Sequence, residues 1–132
     1  MLLLLGKKPR WPIHILLNND LPFPHEGHLL ILPKKHIVEI DELDTERILA
    51  VMNAAKLMTK AVKTLFIPDG VTLSQNGGMF NELTHFHMHV VPRYKEECFG
   101  DFYTQIPKYA EKDDALAATA QKIRRVIQQM PS

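Results

Sequence analysis

His85, His87 and His89 alternate with Phe86 and Met88 in the segment His85-Phe86-His87-Met88-His89-Val90-Val91-Pro92-Arg93. Side chains of an extended strand point alternately to opposite faces, so the three imidazoles would share one face, with Phe86, Met88 and Val90 on the other. The second set is an ordinary core face. The first is a row of nucleophilic, titratable groups, each needing hydrogen-bond partners if buried. A strand that separates packing from chemistry in this way suggests an active site.

Two chemistries fit the row. His-x-His on a strand is a common zinc ligand pair. The outer histidines, however, would lie roughly 13 Å apart at the strand rise, and the nearest acids, Glu82 and Glu96, fall outside the strand. A metal would therefore take two of these imidazoles and the distant His28. Alternatively, a neutral imidazole attacks phosphorus and leaves a phosphohistidine that water cleaves. The central His87 would need an acceptor on its second nitrogen to present a lone pair. Crowded neighbours disfavour its protonation and can donate to phosphate oxygens as charge develops. The plain alternative is an exposed histidine-rich strand without a role.

The elements that must position the row can be read from pattern. Residues 13–17 and His28 to Leu32 are apolar strands, Val71 to Gln75 is a third, and the histidine strand runs from about Thr84 to Val91. Asn18-Asn19-Asp20, the Pro22, Pro24 and Gly27 loop, Pro68-Asp69-Gly70 and Asn76-Gly77-Gly78 are breaks. Asp44 can cap a helix reaching about Phe66, with Leu43, Ile48, Val51, Ala55, Met58, Val62 and Leu65 on one face. A second helix, from about Asp113 to Met130, carries Leu116, Ala120, Ile123 and Ile127. Its Lys122, Arg124 and Arg125 complement the helix dipole. Residues 94–112 are irregular.

The whole reads as one α+β domain over residues 1–132, long enough to bury a core without staples. It is 45% hydrophobic and 23% charged, and its net charge of +1 gives no case for a nucleic-acid polymer or a membrane as partner. Cys98 is the single cysteine, so neither an internal disulfide nor a cysteine-paired zinc site is expected. Met1 to Leu5 is apolar but too short for a signal peptide or a spanning helix, and its charges follow rather than precede it. That start is expected to be a buried or frayed end of a cytoplasmic protein.

Two blocks together resemble the histidine triad family. His85 to Val91 follows its pattern of three histidines alternating with apolar residues, continued by Pro92-Arg93. Gly27-His28-Leu29-Leu30-Ile31-Leu32-Pro33-Lys34-Lys35-His36 is similar to the family's Gly-His-strand-Pro-Lys-x-His segment. The likeness covers about residues 15–93. It implies an HIT-like fold with a central antiparallel sheet, one long helix and a C-terminal helix, and a homodimer. The substrate it implies is a nucleotide whose α-phosphate carries a leaving group, as in dinucleoside polyphosphates or nucleoside phosphoramidates, cleaved without a cofactor or a metal in the chemical step.

By position, the resemblance makes His87 the nucleophile and sets His89 against the phosphate and leaving group. His85 would supply the carbonyl that orients His87, and His28 would bond into the triad. Gln75 would reach the phosphates, and Asn19 or Asp20 the ribose. The chain departs from the pattern at Phe80-Asn81-Glu82, where most members carry Gly-Gln-(Ser/Thr). Asn81 still offers an amide to substrate, while Glu82 puts an acid where a hydroxyl is expected. A non-catalytic nucleotide-binding regulatory protein is therefore the second reading, and a zinc hydrolase on His85, His87 and His28 the third. Some members hold a structural zinc through Cys-x-x-Cys and histidines at the positions of His36 and His85. With one cysteine that zinc is expected to be absent. His36 then reads as a surface or interface histidine, and His14 and His25 lie outside the matched blocks.

Overall fold

A computed structural model describes residues 2–5, 11–18, 20–21, 26–97, 109–110 and 113–130. In chain order the elements are β1 (Leu2–Leu5), β2 (Ile13–Leu17), β3 (Asp20–Leu21), β4 (Leu29–Pro33), α1 (Thr45–Phe66), β5 (Gly70–Gln75), β6 (Met88–Arg93), β7 (Tyr109–Ala110) and α2 (Asp113–Gln129). Five strands form an antiparallel sheet in the order β1-β2-β4-β6-β5, and β3 pairs with β7. The α+β architecture is the one the sequence implies. Among the described residues no helix is long and apolar enough to cross a membrane.

Both helices pack on one face of the sheet, and a single core joins them to it. Ile13, Ile15 and Leu17 of β2, Leu29 and Ile31 of β4, and Val90 of β6 point into that core. β4 is buried along its whole length. A central strand covered on both faces needs a continuous apolar run rather than alternation, which is how Leu29 to Leu32 reads. The helix α1 starts where Asp44 accepts a hydrogen bond from the Arg47 amide at 2.9 Å, satisfying one of the free N–H groups of the first turn. Its buried stripe is Val51, Ala54, Ala55, Met58, Ala61 and Val62. Ile48, expected on that stripe, is instead 44% exposed, because the stripe begins a turn later.

The apolar start is a strand and not a frayed end. β1 pairs with β2 (Leu2 opposite Leu17, Leu3 opposite Leu16). Arg124 of α2 ties it down, donating to the Leu4 carbonyl from Nε and to the Leu3 carbonyl from Nη2. That residue anchors an edge strand; the expected dipole role does not hold, because α2 runs to Gln129 and its last turn carries no basic residue.

The histidine strand is shorter than its spacing predicts. β6 begins at Met88, and residues 84–87 lie outside the ladder. The physical reason is the loss of a partner on one side: β4 runs on to Pro33, but β5 ends at Gln75. Ile31 on β4 and Gln75 on β5 both pair with Met88, and β5 stops at Asn76-Gly77. Thr84 also takes a left-handed φ of 50°, which a β-branched residue adopts at a cost of about 1–3 kcal/mol. His89 alone of the three therefore sits in regular sheet.

Candidate active site

Cross-strand partners share a face, so His89 lies in a row with Leu30 of β4 and Ser74 of β5, on the side away from the helices. His28, just before β4, is 2% exposed, and its carbonyl accepts from the Asn18 amide at 2.8 Å. Its ring lies over His89 with centroids 5.0 Å apart. The polar contacts run in one direction. The Asn18 side-chain amide donates to His28 Nδ1 at 3.4 Å. An amide nitrogen can only donate, so His28 carries its hydrogen on Nε2 and passes it to His89 Nδ1 at 2.7 Å. Neutral His89 is thereby held with its hydrogen on Nε2.

His87 is oriented from its own backbone. Its Nδ1–H donates to the His85 carbonyl at 2.9 Å, which leaves the lone pair on Nε2. The His87 and His89 rings meet edge to face, with centroids 4.9 Å apart. The ring of His85 turns elsewhere. Its Nε2–H donates to the Pro33 carbonyl at 2.9 Å, and it meets His36 edge-on at 5.3 Å. The site thus holds one imidazole with its lone pair on Nε2 and one with its hydrogen there, supported by His28, Asn18 and the backbone of His85.

Burial, joined by a smaller electrostatic contribution from the neighbouring His87, pushes the His89 pKa down from 6.5 to about 4. Near pH 7 the ring is neutral. In the unfolded chain it protonates near 6.5, so between pH 6.5 and 4 the unfolded state binds more protons. The stabilisation is complete above 6.5 and lost as pH falls through about 4, a difference of about 3 kcal/mol. Urea denaturation from pH 7 to 4 should show that decline in the parent and a flatter profile in His89→Asn. Parallel profiles would contradict the burial account.

The expected substrate ligands fare differently from the histidines. Gln75 pairs with Met88, which places it on the helix side of the sheet, and its amide donates to the Asn76 carbonyl. Alternation puts Ser74, not Gln75, beside His89, and the Ser74 hydroxyl is buried without a hydrogen-bond partner among the described residues. Asn81 does not offer its amide to a pocket. Its Nδ2 donates to the Val38 carbonyl at 3.2 Å and its Oδ1 accepts from the Leu83 amide at 3.2 Å, so it closes a loop. Asn19, His25 and Cys98 lie outside the described residues, as does the Asp20 side chain, whose backbone pairs with Ala110. Asn18 was missed as a site residue because it reads as the start of a turn. The signal was available: Ile13, Ile15 and Leu17 face the core, so alternation turns His14, Leu16 and Asn18 toward the histidine face. His14 shares no hydrogen bond with the triad rings among the described residues, but its pKa is lowered by burial and, less, by the charges of Lys34 and His85. Among the described residues no three histidine, cysteine or acidic side chains are arranged to hold a metal ion.

The HIT domain family model matches residues 19–96. The chain is 33% identical to "Protein hit" of Bacillus subtilis over 104 residues, 76% of this chain and 72% of that one. It is 34% identical over 74 residues to the adenosine 5'-monophosphoramidase HNT1 of Saccharomyces cerevisiae, covering 54% of this chain and 44% of the yeast protein. Against two mycoplasma HIT-like proteins it spans about half of their length (51% and 50%). A crystal structure of a Hit-like protein involved in cell-cycle regulation from Bartonella henselae superposes with a TM-score of 0.77 at 25% identity, over 95% of this chain and 85% of that one.

Proposed function

The chain belongs to the histidine triad family, and from that premise we propose that it cleaves the bond between a nucleoside α-phosphate and its leaving group through a nucleotidyl-histidine on His87. The observation that carries this reading is the hydrogen bond from His87 Nδ1 to the His85 carbonyl, which reserves Nε2 for phosphorus. In the first step the Nε2 lone pair forms the N–P bond, and the leaving group departs with the electrons of the broken bond. Neutral His89 donates from Nε2 toward the phosphate oxygens or the leaving atom, where negative charge grows. Water then attacks phosphorus on the opposite side and releases its proton to solvent, matching the one the departing group takes up, and His87 leaves as a neutral imidazole with its Nδ1 hydrogen still bound.

The yeast relative's name favours phosphoramidates as the substrate class. Incubation with adenosine 5′-phosphoramidate and, separately, with a diadenosine polyphosphate should release AMP, with turnover unaffected by a chelator. Loss of activity to the chelator and its return with zinc would overturn the metal-free step. The departure at Phe80-Asn81-Glu82, with Asn81 folded onto backbone, favours a second reading as a nucleotide-binding protein. AMP binding without AMP release from either substrate would establish it.

The proposed functional unit is a homodimer joined at β5. That strand ends the sheet and leaves Leu73 44% exposed, while α1, which packs on it, exposes Leu49 by 58% and Met52 by 49%. An open strand edge beside apolar side chains favours pairing with a second copy. Sedimentation velocity should give the dimer mass, and the Leu73→Lys, Met52→Lys double variant should sediment as a monomer.

A further inference from the structure

Residues 84–87 make no ladder pair with β4 or β5, yet the His85 carbonyl must hold one position for His87 to present Nε2. The restraint comes from a short run of chain after β4. His36 donates from Nε2 to the Thr84 carbonyl at 2.9 Å. Ile37 accepts at its carbonyl from the Phe86 amide at 2.6 Å. Val38 accepts from the Asn81 side chain, and Glu39 Oε1 accepts from the Gly78 amide at 2.8 Å. Four consecutive residues thus grip the loop between β5 and β6.

Two of these contacts act on adjoining peptide units. The unit joining His85 to Phe86 is fixed at both ends, its N–H on Ile37 and its carbonyl under His87 Nδ1. The preceding unit, from Thr84 to His85, is held at its carbonyl by His36. Thr84 is also the residue with the left-handed φ of 50°. Without a contact at its carbonyl, its own backbone preference turns it toward negative φ. That rotation would swing the next carbonyl, the acceptor that sets the His87 tautomer.

We propose that His36, which lies outside the pocket, is a positioning residue for His87: by holding the Thr84 carbonyl it keeps the His85 carbonyl under His87 Nδ1. The inference rests on His87 as the nucleophile for its effect on turnover, but not for its effect on the imidazole itself.

The test compares His36→Leu, which removes the donor, with His36→Gln, whose amide nitrogen reaches as far as Nε2. His36 is exposed, so both variants should fold, and thermal midpoints check this. His36→Leu should lower kcat roughly tenfold, the worth of one lost hydrogen bond, with KM and AMP affinity within about twofold of the parent. His36→Gln should recover most of the loss. Long-range 1H–15N spectra of the imidazoles should report a single Nδ1–H tautomer for His87 in the parent and in His36→Gln, and a mixture in His36→Leu. An unchanged kcat and a single tautomer in His36→Leu would overturn the proposal, as would a glutamine variant no better than leucine. If the parent releases no AMP, the functional reading fails while the tautomer comparison still decides this one.

Discussion

The His87→Asn variant should lose turnover by at least about four orders of magnitude, since removing a covalent nucleophile elsewhere costs about a millionfold. Asparagine places an amide N–H near the position of imidazole Nδ1, so it can keep the bond to the His85 carbonyl that His87 makes at 2.9 Å. What it lacks is the second ring nitrogen and its lone pair. Asn18 and His28 still orient His89, the proposed donor to phosphate, so AMP affinity should change by less than about threefold. The covalent intermediate gives a direct check. A phosphorus–imidazole bond survives alkali and breaks in acid, so an alkaline quench of the parent during turnover should show a nucleotidyl mass adduct. The variant should show none. Residual turnover within tenfold of the parent, or an adduct on another histidine, would remove His87 from the role of nucleophile.

Gly27→Ala should be the most damaging small substitution in the described fold. Gly27 has a φ of +83°, and a methyl added there would lie 2.4 Å from Phe66 Cε2 and 3.0 Å from Cδ2 and Cζ. The left-handed backbone penalises alanine by about 1 kcal/mol, and the overlap with a ring costs about 1–3 more. Together they predict a loss of about 3 kcal/mol and a melting midpoint lower by roughly 10 °C. The consequence reaches the site, because the next residue is His28, whose ring holds His89. Trimming the ring with Phe66→Leu in the Gly27→Ala background should recover the steric part and leave the backbone part. Gly70→Ala is the control. A methyl there meets nothing within 4 Å, so its stability should stay within about 0.5 kcal/mol of the parent. Equal effects at the two glycines would show that the contact with Phe66 carries no energy.

Much of this protein is legible in local pattern, and particular residues show where legibility ends. The apolar run of Leu29 to Leu32 announces a central strand, and Asp44 followed by a helical stripe announces α1. The row His85, His87, His89 and the block around His28 could be paired through the family resemblance, which rests on two segments each compact in sequence. Gln75 and Ser74 mark one limit. They are neighbours, and the residue beside His89 depends on a register set by β6, where a slip of one residue exchanges the faces. Asn81 marks another, since a residue type suited to substrate is here engaged by a carbonyl at Val38. Ile48 marks a third, because helical periodicity identifies a stripe but not where the sheet beneath it begins.

By itself the amino-acid sequence determined the fold class, both helices and the strands β2, β4, β5 and β6 in their order, and the row of imidazoles proposed to react. These follow from side-chain period, capping and residue chemistry, all properties of short stretches of chain. Only the tertiary structure decided which nitrogen of each imidazole carries the hydrogen. It also decided that two of the three histidines stand outside the ladder and that residues 36–39 hold them there. Those outcomes depend on hydrogen bonds between residues about fifty positions apart, such as His36 with Thr84 and His28 with His89. A local pattern carries no record of such contacts, because their directions exist only once the strands have packed.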